Sequence, residues 1–220
     1  MTTVLDDDRT RPRGPVVTAV ALLGLGLVAG MLTSYGQGHL PDQLHALANS
    51  STSWTVVAYV GALLARRWWT AVAFAYLTFV LLLVGYEIAS TLRVSIGMGP
   101  NTWAFWLGAG LVVAFPVGYA AWAVRARPAV GRLLSVALLA GLAVGEGVYG
   151  LTVVAATTSP VYWTISVVGG VLGLAWFAWR TRSARSIATA VLLTAAVAGG
   201  FLALYQASSG VWFLLSHLLL

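Results

Sequence analysis

Two glutamates lie within long apolar runs of this 220-residue sequence. Glu87 belongs to the run from 68 to 92, and Glu146 belongs to the run from 133 to 156. An ionisable side chain inside such a run is costly to place in a membrane and is usually functional. A carboxylate there can act as a countercharge or carry a proton, so these two residues are the first candidates for a site.

The composition predicts an all-α, polytopic transmembrane bundle. Hydrophobic residues make up 60% of the chain and charged residues only 8%, whereas a soluble domain carries about a quarter charged residues. Apolar runs of about 20 residues, the length that a helix needs to cross a bilayer, account for nearly the whole chain. The sequence contains no cysteine, which excludes disulfides, thiol catalysis and thiolate metal ligands.

The basic residues predict the orientation of the spans. All twelve are arginines, and eleven of them fall in four clusters, one before the first apolar run and the others after the second, fourth and sixth, while Arg93 lies alone at the opposite side. Arginine clusters mark cytoplasmic loops. We therefore expect a multi-pass protein of the bacterial cell (plasma) membrane with a cytoplasmic N-terminus. The net charge of +6 is then a topology signal, and no nucleic-acid partner is expected.

About seven spans follow from this pattern. Residues 1–14 are expected to form a disordered cytoplasmic tail and residues 15–220 a single transmembrane helical domain. The second span is short for a crossing unless it begins within the preceding loop, and residues 211–220 predict a short apolar C-terminal half-helix. The Gly26/Gly30 and Gly169/Gly173 pairs predict close helix packing. The predicted spans are 15–33, 54–65, 68–92, 102–124, 133–156, 162–179 and 187–205.

Counting along the helices predicts an outward-facing pocket. Glu87 lies about 28 Å beyond Trp68 and Glu146 about 21 Å beyond Arg132, so both belong to the outer half and Glu146 is deeper. Outer ends of the other spans supply aromatic residues, which attract cations and stack on flat rings. The candidate substrate-binding residues are Glu146, Glu87, Tyr149, Tyr35, Gln37, Trp54, Trp103 and Trp163.

Simpler interpretations compete with a pocket. Glu87 can be solvated among the headgroups or pair with Arg93, Glu146 can hydrogen-bond a neighbouring helix, and the aromatic residues can form an interfacial belt. His39 and His45 have no third ligand nearby in sequence, so neither a metal site nor a cofactor is expected. No familiar catalytic motif is present, and catalytic residues stay unassigned.

Several short motifs resemble a known family. They are the segment 32–41 (LTSYGQGHLP), the segment 47–50 (LANS) with Trp54, the pair Gly85–Tyr86, and the segment 146–149 (EGVY). Together they are similar to an uncharacterised family, a domain of unknown function, of small polytopic membrane proteins from high-GC Gram-positive bacteria. The resemblance implies a membrane protein without an established activity. It draws attention to Gln37, Pro41, Asn49, Ser50 and Trp54.

Three functions remain open from the sequence. The first is a transport-type protein that binds a small solute in the aromatic pocket. The second is a membrane-embedded enzyme, for example an acid-initiated isoprenoid cyclase with Glu146 or Glu87 as proton donor, and this enzyme reading is the weaker one. The third is a structural or accessory membrane protein. The expected partners are the lipid bilayer, a small-molecule ligand, and a membrane-protein partner or a second copy of the chain.

Overall fold

The computed structural model describes the backbone of residues 14–218 and the side chains through residue 206. In this part of the chain all regular structure is helical, which confirms the predicted fold class. A single 3₁₀ turn at His45–Asn49 precedes the second helix. The α-helices are α1 (Pro15–His39), α2 (Ser51–Ala62), α3 (Trp68–Leu92), α4 (Pro100–Ala126), α5 (Pro128–Thr152), α6 (Pro160–Thr181) and α7 (Ala184–Leu218).

Six of these helices are long and apolar enough to cross a membrane. The exception is α2, whose 12 residues extend only about 18 Å. A hydrocarbon core is about 30 Å thick, so α2 by itself does not cross it. The chain is therefore a multi-pass integral membrane protein with six full-length spans and one short helix.

The direction of α1 and α3 requires a seventh pass. Gly26 of α1 faces Leu81 of α3. Two turns further along α1, the hydroxyl of Ser34 hydrogen-bonds the hydroxyl of Ser90 near the end of α3. The two helices therefore run parallel, and the chain between them has to return through the bundle. The segment 40–67, which contains α2, makes this return, as the predicted alternation of seven passes requires.

Glycines set the closest helix contacts. A methyl group at Gly30 would overlap the backbone of α3 around Leu82, so the predicted close packing of α1 is confirmed. The prediction for Gly169 and Gly173 of α6 is wrong. A methyl group at either would meet no described atom within 4 Å, and their neighbour Gly170 contacts α5 instead. Spacing alone does not tell which face of a helix meets a partner.

The second half of the bundle surrounds α5. Gly145 packs on α7 at Ala198, and Gly147 packs on α6 at Val167, so both faces of α5 around Glu146 are covered. Helices α4 and α5 form a tight hairpin at the end of the bundle where arginines cluster, which we call the arginine end. The other end, predicted to face outward, is called the opposite end.

The C-terminal helix differs from the expected layout. The backbone of α7 continues as one helix to Leu218, through the stretch 206–210 where the sequence predicts a break. Side chains after residue 206, including those of the predicted half-helix at 211–220, lie outside the described residues. The predicted tail also lies outside them, apart from Gly14. The division into a tail and one helical domain stays a prediction.

Candidate functional site

The first turn of α2 lies inside the bundle, and all four of its free N–H groups have acceptors. The carboxylate of Glu146 accepts from the N–H of Ser51 at 2.6 Å and from that of Thr52 at 3.0 Å. Ser50 is the N-cap: its hydroxyl accepts from the N–H of Ser53, and its own N–H donates to the carbonyl of Leu47 at 3.3 Å. A helix begins with four such donors. Here a distant carboxylate accepts from two of them, and two nearby groups of the chain accept from the others.

Both carboxylate oxygens of Glu146 accept hydrogen bonds from the start of α2. Besides the two N–H groups, the Ser50 hydroxyl donates to Oε2 at 2.7 Å. The side chain is 4% exposed. The N-terminus of a helix carries a partial positive charge, so a buried carboxylate is stabilised there. The arrangement matches the simpler interpretation in which Glu146 hydrogen-bonds a neighbouring helix.

Aromatic side chains surround the start of α2. The Ser51 hydroxyl hydrogen-bonds the Tyr205 hydroxyl at 2.8 Å, and the Tyr205 ring lies 5.1 Å from the Tyr149 ring. On the other side, Trp54 packs against Trp106 with 5.3 Å between ring centroids. We call these five residues with Glu146 the α2-start cluster. It combines flat apolar surfaces with a few polar groups, the composition typical of small-molecule sites.

Two polar atoms of this region have no hydrogen-bond partner among the described residues. They are the indole nitrogen Nε1 of Trp54 and the hydroxyl oxygen of Thr52. Trp54 is only 7% exposed, so its N–H has no route to bulk solvent. Nearly all buried polar groups in proteins are hydrogen-bonded, and an exception calls for an explanation.

A polar network fixes the loop that leads into α2. The Tyr86 hydroxyl donates to the Gln37 side-chain oxygen at 2.8 Å, and the Gln37 amide nitrogen donates to Asn49. A ring nitrogen of His45 hydrogen-bonds the Gln37 carbonyl at 2.6 Å. These contacts tie α1, α3 and the 3₁₀ turn together, directly before the cap residue Ser50.

Glu87 also binds backbone. Its Oε2 accepts from the N–H of Met98 at 3.1 Å, in the connection between α3 and α4. The nearby Arg93 reaches α1 instead: its guanidinium donates to the carbonyl of Ser34 and lies 5.8 Å from the ring centroid of Tyr35. A cation near the C-terminus of a helix interacts favourably with the last carbonyls. Glu87 therefore holds the α3–α4 connection against α3, and Arg93 holds the end of α3 against α1.

The predicted pocket residues divide into two groups. Glu146, Tyr149 and Trp54 meet at the start of α2, and the Trp163 ring covers Gly150 one turn beyond. Trp103 packs against the buried core that contains Trp54. The other group comprises Tyr35, Gln37 and Glu87, which join α1, α3 and the neighbouring loops.

Sequence reasoning missed several members of the cluster. Ser51 was not among the candidates, and Trp106 and Tyr205 were expected only as aromatic residues at the outer ends of spans. Ser50 stood out through the family resemblance. A serine before an apolar run is an N-cap signal, but the predicted second span began at Trp54, three residues after the observed helix start at Ser51. No local signal indicated that the partner would be Glu146. Among the side chains that are described, no group of three His, Cys, Asp or Glu residues clusters as a metal site.

Comparison with known proteins places the chain in a family. No curated protein and no solved structure matches it. Residues 9–210 match a family described as a family of unknown function, DUF6518, which confirms the resemblance predicted from the short motifs. Because that match covers most of the sequence, the chain belongs to this family of unknown function.

Proposed function

We propose that this integral membrane protein is of the transport type and binds a small planar solute at the α2-start cluster, from the opposite end of the bundle. The indole N–H of Trp54 carries the proposal, because it is buried without a partner beside the carboxylate-bound helix start. An unsatisfied buried donor costs about 1–3 kcal/mol. A solute with a hydrogen-bond acceptor removes that cost on binding.

The chemistry of the cluster favours a flat, neutral solute. Trp54 and Trp106 offer ring faces, and Tyr149 with Tyr205 offers a second aromatic wall. The oxygens of Glu146 already accept three hydrogen bonds from the start of α2, so they are less available to a bare cation.

Thermal unfolding of the purified protein in detergent, with nicotinamide, uracil and lumichrome as planar probes, tests the proposal. We expect at least one probe to raise the Tm of the wild type. Trp54→Phe replaces the indole by a smaller phenyl ring and removes the N–H. It should weaken the binding of that probe about tenfold or more, since the loss of one hydrogen bond of about 1.4 kcal/mol alone predicts tenfold. Trp68→Phe, at a tryptophan 46% exposed near the arginine end, is the matched control and should bind normally. A panel without effect on the wild type, or a Trp54→Phe variant that binds equally well, contradicts the proposal.

A structural or accessory role is the second candidate. It is favoured by the fact that both intramembrane carboxylates bind backbone N–H groups of the same chain. An acid-initiated cyclase is less favoured, because a proton donor needs a free O–H directed at its substrate, whereas both oxygens of Glu146 act as acceptors within the fold. If no probe binds and Glu146 variants lose only stability, the structural role is supported.

A further inference from the structure

A cavity opens at the arginine end of the bundle, far from the α2-start cluster. Its volume is about 400 Å³, and it lies where the chain leaves α2 and α4 ends. Pockets that hold small ligands typically measure about 300–1,000 Å³. The lining residues are Ala65, Arg66, Trp122, Arg125 and Ala126.

Two arginines line this cavity, and none of the acidic residues that the structure describes lies at that end. The described chain contains three acidic residues, Asp42, Glu87 and Glu146, and all three belong to the opposite end. Arg125 is held at the wall by a contact of 3.4 Å from its guanidinium to the Ala65 carbonyl. Arg66 lines the cavity from the connection between α2 and α3. Both charged side chains that line the cavity in the described part of the chain are therefore positive.

The lining matches a phosphate group held at a membrane surface. Guanidinium groups bind phosphate oxygens in pairs through their planar fork of donors. The half-buried ring of Trp122 adds an amphipathic surface, as tryptophans do at the level of lipid headgroups. Arg66 and Arg125 are both exposed to solvent, and both line this one concave site.

We propose that this cavity binds a phosphate group, supplied by the headgroup of an anionic phospholipid or by a soluble phosphate. The proposal is independent of the solute site, since it involves other residues at the other end of the bundle. Native mass spectrometry of the full-length protein in detergent can test it. The protein is titrated with short-chain phosphatidylglycerol, short-chain phosphatidylcholine or inorganic phosphate.

The test variant is Arg66→Gln/Arg125→Gln, and the matched control is Arg182→Gln/Arg185→Gln. Both variants lose two charges at the same end, but the control residues do not line the cavity. We expect the wild type and the control to bind phosphatidylglycerol with similar affinity, and the test variant to bind about tenfold or more weakly. If the test variant misfolds, Arg66→Lys/Arg125→Lys keeps the charge but loses the guanidinium fork, and should still weaken binding several-fold.

Each outcome decides the proposal. Selective loss of phosphatidylglycerol binding in the test variant supports a lipid headgroup. Selective loss of inorganic phosphate binding, with neither lipid retained by the wild type, supports a soluble phosphate as the source. The proposal is overturned if the test and control variants lose binding affinity equally, or if the test variant binds as the wild type does. Either result would indicate only a diffuse positive surface.

Discussion

Replacing Glu146 by alanine should destabilise the bundle through the start of α2. The change removes the acceptor of two backbone N–H groups, those of Ser51 and Thr52, and of the Ser50 hydroxyl. Interhelical hydrogen bonds in a membrane contribute about 0.6 kcal/mol on average, which gives about 2 kcal/mol for three. Buried donors left without acceptors cost about 1–3 kcal/mol each. The two backbone N–H groups lose their acceptor, so we expect the free energy of unfolding to fall by about 2–6 kcal/mol.

The measurement is equilibrium unfolding in mixed micelles of a denaturing and a mild detergent, followed by far-UV circular dichroism. Glu87→Ala is the matched control, because Glu87 is half-buried and accepts one described backbone hydrogen bond, from Met98. Its expected cost is about 1 kcal/mol or less. Glu146→Gln should lie between the two, since the amide keeps one acceptor oxygen but turns an NH₂ group toward existing donors.

Amide hydrogen exchange gives a local readout of the same change. The N–H groups of Ser51 and Thr52 should be protected in the wild type and exchange much faster in Glu146→Ala, while amides in the middle of α3 keep their protection. The reasoning is refuted if Glu146→Ala and Glu87→Ala unfold alike. It is equally refuted if Glu146→Ala leaves the exchange of both amides unchanged.

Three further predictions follow from single contacts. Ser50→Ala removes the N-cap and one hydrogen bond to Glu146, and should lower the free energy of unfolding by about 1–2 kcal/mol in the same micelle assay. Gly30→Val forces α1 away from α3 and should lower the Tm strongly, whereas Gly24→Val, where no described atom lies within 4 Å, should leave it nearly unchanged. Arg93→Gln removes the cation that binds the Ser34 carbonyl, and should lower the Tm slightly and speed amide exchange in the last turns of α1; an unchanged exchange rate there would contradict this role.

The sequence alone was sufficient to predict the class and layout of the fold. Hydropathy identified the long spans, because a helix that crosses a bilayer needs an uninterrupted apolar length, which is a local property. Glycine spacing in α1 located one close contact correctly.

The tertiary structure decided what the polar residues bind. The donors at the start of α2 are 94–96 residues away from Glu146 in the chain, so no local pattern pairs them. For the same reason, spacing did not show that Gly170, rather than Gly169 or Gly173, contacts α5. It also did not show that the eight predicted pocket residues belong to two separate networks. Within a bundle, the rotation of each helix selects which side chains meet, and that rotation depends on all neighbouring helices together. The sequence therefore predicted a buried carboxylate, and only the packing of α2 against α5 made it the cap of a helix.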